Sequence, residues 1–249
     1  MGKILRAVSK KTDLGLISAE GGNKDNAIPR MAHAFILTES DVTSAIEEIC
    51  EKCRKLFESE YREAGETIEV NCKSYGECEA DAFDADDTIT FLCAVPNGVL
   101  EYNGDKSKVI VSLNLGIMKT EKNSQTVCFS IRSNRDNGCN EVCDRIEKEA
   151  QKYNAQTSED GEYPCWEFRD KSPLREIVAQ EYKSQTGKDA VIDIIHAGLE
   201  CGVFAQAIKN LDAVSIGPDI KDIHTPLERM DVASFERTYN LVKNVLKKL

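Results

Sequence analysis

Three features of the sequence predict an α/β chain of the α+β kind in two units. The first is a pair of alternating runs: Val109, Val111, Leu113, Leu115 and Ile117 interleave with Ser112, Asn114 and Gly116, and Val127, Phe129 and Ile131 interleave with Cys128, Ser130 and Arg132. Period-two alternation with one apolar face marks a half-buried hairpin. The second is a set of stripes at three- and four-residue spacing, which marks amphipathic helices. The third is a polar stretch from Ala155 to Ser172 carrying Gly161 and Pro164, which divides residues 1–157 from 158–249. Helices gathered on one face of mixed strands describe an α+β sandwich.

In chain order, residues 3–10 read as the tail of a helix and 14–19 as a strand. A turn at Gly21-Gly22-Asn23 leads into a strand from Ala27 to Leu37. Val42, Ile46, Ile49, Cys50, Cys53, Leu56 and Phe57 then form one helical face behind an Asp41 cap, giving a helix from Asp41 to about Ala64. A strand near 67–74 and an acidic loop over 75–88 precede a short helix that stops at Pro96-Asn97-Gly98. The hairpin follows, then a helix from Asn137 to Asn154. Beyond the boundary the expected order is helix 173–186, strand 190–195, helix 203–209, a short strand ending at Ser215, and a helix from Asp231 to Leu249. Val191 to Ile195 is apolar apart from Asp193, as expected of a strand covered on both sides.

At 249 residues and 41% hydrophobic content, the chain is long enough to bury two cores. Lys and Arg number 32 against 43 Asp and Glu, a net charge of −11. A phosphate backbone calls for a basic surface, so nucleic acid is not an expected partner. No apolar run approaches the roughly 18 residues of a membrane span, and Met1 to Arg6 lacks the apolar core of a secretion signal. Arg6 also stands where a myristoylation pattern needs Ser or Thr. A cytoplasmic protein with neither membrane nor nucleic-acid partner is the expectation.

Ten cysteines without a secretion signal are expected to stay reduced. Cys50/Cys53 and Cys139/Cys143 have spacings that suggest metal or redox chemistry, but each pair falls on a helical stripe. There cysteine behaves as a small core hydrophobe.

The chemistry-bearing residues gather late in the chain. Two of the three histidines lie in His196-Ala-Gly-Leu-Glu-Cys-Gly202 and His224-Thr-Pro-Leu-Glu-Arg229, with Ser215-Ile-Gly-Pro218 between them. Short polar-glycine segments after apolar runs are where an α/β domain presents side chains to a ligand. Two histidines and a glutamate are too few groups for most hydrolytic mechanisms, so the arrangement reads as half a site.

These motifs resemble the closing motifs of the aminoacyl-histidine dipeptidases, also called Xaa-His or cytosol non-specific dipeptidases. The likeness extends upstream through Gly21-Gly22, Asn26-Ala-Ile-Pro-Arg30, Pro96-Asn-Gly-Val99, Ser112-Leu-Asn-Leu-Gly116, Ile131-Arg-Ser133 and Gly161-Glu-Tyr-Pro-Cys-Trp166. The resemblance implies a two-zinc metallopeptidase that hydrolyses Xaa-His and other unblocked dipeptides. Its catalytic domain would be completed by a ferredoxin-like lid that forms a homodimer. On this reading residues 1–157 are the lid and 158–249 the C-terminal part of the catalytic domain. His224 matches the C-terminal zinc ligand, Glu200 the contact to the substrate ammonium and Arg132 the clamp on its carboxylate. Asn114 would assist Arg132, and His196 would touch substrate or support a ligand.

The departures bear on competence. The family's His-x-Asp pair, its bridging Asp and its Glu-Glu general base have no counterpart; the one Glu-Glu pair, Glu47-Glu48, lies on the polar side of a helix. The usual Gly-Gly-His-Ser-Gly segment of the lid is missing too, and Met1 to Ser9 resembles the helix that follows it. The chain is therefore expected to begin inside the lid, to lack the N-terminal catalytic segment and its general base, and to be inactive alone. The alternative is a non-catalytic dimerisation module derived from such an enzyme. A redox-sensing role for the cysteine pairs is a third.

Overall fold

The computed structural model describes residues 1–61, 67–196, 199–223 and 227–249. It has two compact units. One comprises 1–101, 111–131 and 139–158, the other 102–110, 132–138 and 159–249. The class is α+β, with a mostly antiparallel six-stranded sheet and seven helices among the described residues.

The first unit begins with α1 (Gly2–Ser9), β1 (Leu14–Gly21), β2 (Ala32–Thr38) and α2 (Thr43–Tyr61). These are followed by β3 (Phe83–Asp84), α3 (Ala85–Ala94), β4 (Gly98–Tyr102), β5 (Val109–Glu121), β6 (Ser124–Ser133) and α4 (Gly138–Gln151). The sheet runs β2-β1-β5-β4, with β3 on β1 and β6 on β5. Leu16 and Ala19 of β1 are both fully buried although three residues apart, a spacing that strict alternation would split between faces. The β1/β2 register shifts between Leu16 and Ser18, and this bulge returns Ala19 to the core side. Leu5, Leu16, Ala19, Ala85, Ile89 and Met118 form the core, and α1 packs on α2 and α3.

Several expectations are corrected here. β2 begins at Ala32, not Ala27, because the stretch through Pro29, which has no N–H to give a ladder, leaves the sheet and lies over β5. Residues 67–74 form no strand. Ile68, Val70 and Cys72 are half-buried while Thr67, Glu69 and Asn71 are exposed, so the period-two pattern is real but arises from one-sided burial without a paired neighbour. α2 is described to Tyr61, and the expected continuation to Ala64 lies outside the described residues. In β5 the buried face is Val111 and Leu113 but then Met118, so Leu115 and Ile117 do not share it.

In the second unit, α5 (Pro173–Thr186), α6 (Glu200–Ala207), the short pair β7 (Ile220–Lys221) and β8 (Arg229–Met230), and α7 (Val232–Leu246) follow. Local chemistry sets α5. The Ser172 hydroxyl accepts from Arg175 N–H, Pro173 opens the helix, and Gly187 ends it at φ 72°. The Asp231 carboxylate caps α7 by accepting from Ser234 N–H at 2.8 Å. Val178 of α5 and Leu241 and Val245 of α7 make the core between the two helices. The strand expected at 190–195 is not formed, nor is the one ending at Ser215. Val191 is 91% exposed and Ile195 60%. An apolar run becomes a strand only where a neighbour supplies the other half of the ladder, and no described strand of this chain lies beside it. α6 begins at Glu200, three residues earlier than its apolar pattern indicates. Among the described residues no helix is long and apolar enough to cross a membrane.

Candidate functional site

The apolar run that ends at His196 is tied down by two basic side chains from the hairpin end of the same unit. Arg132, on β6, donates from Nη1 to the His196 carbonyl oxygen at 3.1 Å. Lys108, just before β5, pairs with Asp193, and this bond, together with the Ile194 N–H, holds the Asp193 carboxyl below its usual range. Asp193, which merely interrupts the apolar run in the sequence, thus gives it one of its two side-chain ties to the hairpin end. Burial, and secondarily the Arg132 charge, lowers the His196 pKa, so a neutral imidazole is favoured at pH 7.

Three residues beyond His196, Leu199 precedes α6 at the N-cap position and gives no side-chain cap. Glu200, exposed in the first turn, places a carboxylate at the positive end of the helix. Gly202 is buried against the Gly161–Trp166 motif: a Cβ there would meet the Pro164 carbonyl oxygen at 2.4 Å. The glycine of the His196–Gly202 motif therefore serves close backbone approach. That role was not read from the sequence, although paired glycine- and proline-bearing motifs were the available signal. Cys201 is half-buried.

Asn114 lies in the first unit. Its amide donates to the Asp25 carbonyl at 2.7 Å and the Ala27 carbonyl at 3.0 Å. It anchors the Asn26–Arg30 motif on β5, and nearby a Cβ on Gly116 would come within 2.1 Å of the Asp25 carbonyl oxygen. The structure thus brings Arg132, His196 and Glu200 into one unit and gives Asn114 a loop-holding role. His224 lies outside the described residues. Glu47 and Glu48 are exposed, and Glu48 pairs with Lys52 at 2.5 Å. Among the described residues no group of three or more His, Cys, Asp or Glu side chains is placed to hold a metal ion. This donor set does not fit a two-zinc centre. An open cavity of about 510 Å³, lined by residues including Ile17, Asp81, Phe83 and Thr120, holds none of the candidate residues.

No family model matches the chain. Over 251 aligned residues it is 32% identical to the cytosol non-specific dipeptidase of Escherichia coli K12, covering 99% of this chain and 52% of that protein. The crystal structure of the aminoacylhistidine dipeptidase of Vibrio alginolyticus superposes with a TM-score of 0.87 at 30% identity, covering 100% of this chain and 51% of that one. Both relatives are dipeptidases by name, so the class of protein this chain is similar to is the peptide hydrolases. Within that class, the chain is homologous along its whole length to part of the aminoacyl-histidine, or cytosol non-specific, dipeptidases. It spans about half the length of each.

Proposed function

We propose that this chain supplies part of a dipeptide-hydrolysing site, in which Arg132 binds the substrate carboxylate and Glu200 its ammonium. What supports this is the juxtaposition of Arg132 with the segment that carries His196 and Glu200, although Arg132 is 64 residues away from His196 in sequence. A guanidinium fork matches a carboxylate in two parallel hydrogen bonds. A carboxylate at a helix start, as at Glu200, would offer the opposite charge to the other end of an unblocked dipeptide. His196, neutral at pH 7, would accept or donate one hydrogen bond to the substrate, and Asn114 acts by holding the Asn26–Arg30 loop.

His224 is proposed as a zinc ligand. In the complete enzyme zinc would supply the activated water, but the donors among the described residues do not fit it, and on this reading the family's Glu-Glu general base has no counterpart in the chain. The same proposal makes residues 1–157 a lid that dimerises and the protein cytoplasmic. The test is an assay of pure chain with alanyl-histidine, with and without added zinc. The expected rate is that of buffer, and zinc-dependent cleavage by the chain alone would overturn the reading. Glu200→Gln and Arg132→Lys are to be read in the enzyme completed by the remaining half. There both are expected to raise KM and lower kcat/KM by roughly tenfold or more, as the loss of a charged hydrogen bond of about 1.5–3 kcal/mol implies.

A further inference from the structure

The edge of β1 that faces β5 is served in pieces. Gly15 and Leu16 pair with Asp84 and Phe83 of β3, and Gly21 pairs with Met118 of β5. Between these pairs the Thr120 hydroxyl takes the place of a strand: it accepts from the Ala19 N–H at 2.9 Å and donates to the Ala19 carbonyl at 3.1 Å. Ile17, the extra residue of the bulge, has no partner in the register with β2 or with β3. The cavity of about 510 Å³ opens at this interruption, with Ile17, Ser18, Phe83 and Thr120 in its wall. Its volume falls within the roughly 300–1,000 Å³ of small-molecule sites. Three charged side chains complete the wall, Asp81, Glu121 and Lys122. All three are exposed, and none has a side-chain hydrogen bond or ion pair to another described residue. The neighbouring Asp84 differs, since its carboxylate is spent on the start of α3, where it accepts from the Asp86 N–H.

A passing polypeptide strand does not fit this gap. β3 closes it at one end and Thr120 at the other, which leaves about two residues of β1, or roughly 7 Å, between them. A bare metal ion would face the Lys122 ammonium, and among the described residues no group of three or more His, Cys, Asp or Glu side chains is placed to hold one. What remains is a small organic molecule with charges of both signs. The wall offers two carboxylates and one ammonium, so its complement is two cationic groups and one carboxylate on a short stem, which is the charge set of free lysine or arginine. From this match we infer that the gap in the β1 ladder binds a free basic amino acid. Its cationic groups meet Asp81 and Glu121, and its carboxylate meets Lys122. Its aliphatic stem lies on Ile17 and Phe83, which are half-buried. The charge-assisted contacts at the ends decide which molecule is kept, because a neutral side chain would leave one wall carboxylate unmatched. Neither the cavity nor its ligand involves Arg132, His196 or Glu200, so this site stands apart from the proposed hydrolysis.

The test is a titration of the chain with L-lysine, followed through amide chemical shifts. Two comparison ligands are L-norleucine, which lacks the side-chain ammonium, and 1,5-diaminopentane, which lacks the carboxylate. Saturable shifts are expected at residues 17–18, 81–83 and 120–123, with each comparison ligand binding roughly tenfold or more weakly, as the loss of one charged contact implies. Asp81→Asn and Glu121→Gln should each weaken L-lysine by a similar factor. Lys122→Gln should weaken L-lysine but leave 1,5-diaminopentane unchanged or tighter. These positions are exposed, and the same spectra report whether each variant is folded. No saturable shift, equal binding of the three ligands, or L-lysine binding indifferent to all three substitutions would each overturn the inference. Shifts confined to the surroundings of His196 and Glu200, and lost in Glu200→Gln, would overturn it too and support the proposed substrate site instead. Shifts at the β1 gap that persist in Glu200→Gln and Arg132→Lys would uphold it whatever the dipeptide assay gives.

Discussion

Asp212 shows how a single side chain joins distant segments. Its carboxylate accepts from the Ser172 hydroxyl at 2.6 Å and from the Leu174 N–H at 2.9 Å, which ties the Leu211–Ser215 stretch to the start of α5. Burial pushes its pKa up, but these hydrogen bonds and the nearby Arg169 and Arg175 outweigh it, so the pKa is lowered. A lowered carboxyl contributes stability above its unfolded value of 3.8, and that contribution is lost as pH falls through the folded value. Asp212→Asn should therefore cost about 1–2 kcal/mol at pH 7 and flatten the acid limb below pH 4 in urea titrations followed across pH. His196 adds to the same trend nearer neutrality. Its pKa lies below 6.5 in the fold, so the unfolded chain takes up more protons and stability declines as pH drops below about 6.5. His196→Gln should remove that part of the slope. Gly202→Ala is the third residue-scale case. In an open helix the change stabilises by up to about 1 kcal/mol, but here the Cβ meets a backbone oxygen, so about 1–3 kcal/mol of destabilisation is expected in urea melts. A stabilised variant would mean that α6 does not lie against Pro164.

At the scale of elements, what the sequence disclosed depended on how far apart the causes lie. Ser172, Pro173 and Gly187 bound α5 at the positions read from the sequence, and Asp231 starts α7, because caps act within a turn of the residues they serve. The Asp41 cap also holds, accepting from Thr43 N–H at 3.0 Å. Residues 67–74 and 190–195 have equally clear apolar patterns, yet neither is a strand. A ladder requires a second segment, and no pattern within one segment reports whether its partner is there. The β1 bulge and the shifted face of β5 were illegible for a related reason, since each answers to a neighbouring strand or loop. The site divides the same way. The glycine-flanked segment picked out His196 and Glu200, and the family resemblance picked out Arg132, but the bond that brings Arg132 to the His196 backbone could be seen only in three dimensions. For Asn114 the prediction separates two roles. Asn114→Ala should cost about 1 kcal/mol and speed amide exchange over residues 25–31, whereas a side chain that served substrate alone would leave both unchanged.

For the whole molecule, the two units differ in how completely they bury what their sequences offer. The first encloses Leu16, Ala19, Leu113 and Met118 almost fully. The second leaves aromatic and aliphatic side chains of α6 and α7 in water. Dye-binding measurements with an apolar fluorophore should therefore give a strong signal from this chain under native conditions. Replacing two of these exposed residues together, Phe235→Asp and Tyr239→Lys, should reduce that signal without loss of secondary structure. A dim native chain would argue that these side chains are covered from within. Net charge of −11 keeps such a surface dispersed at low salt, and added salt should promote self-association.

The meeting of Gly22 with β5 has an implication for mutational surveys of this protein. Gly22 has φ 70°, and a Cβ there would fall 1.8 Å from the Gly116 carbonyl oxygen. Neither position has any side chain with which to do chemistry. A saturation library scored for folded yield should nevertheless find both as intolerant as any core position, with no rescue by size, charge or polarity at either. Ranked by intolerance alone, the two glycines would pass for reactive groups, and their severity would measure only how closely two stretches of main chain lie.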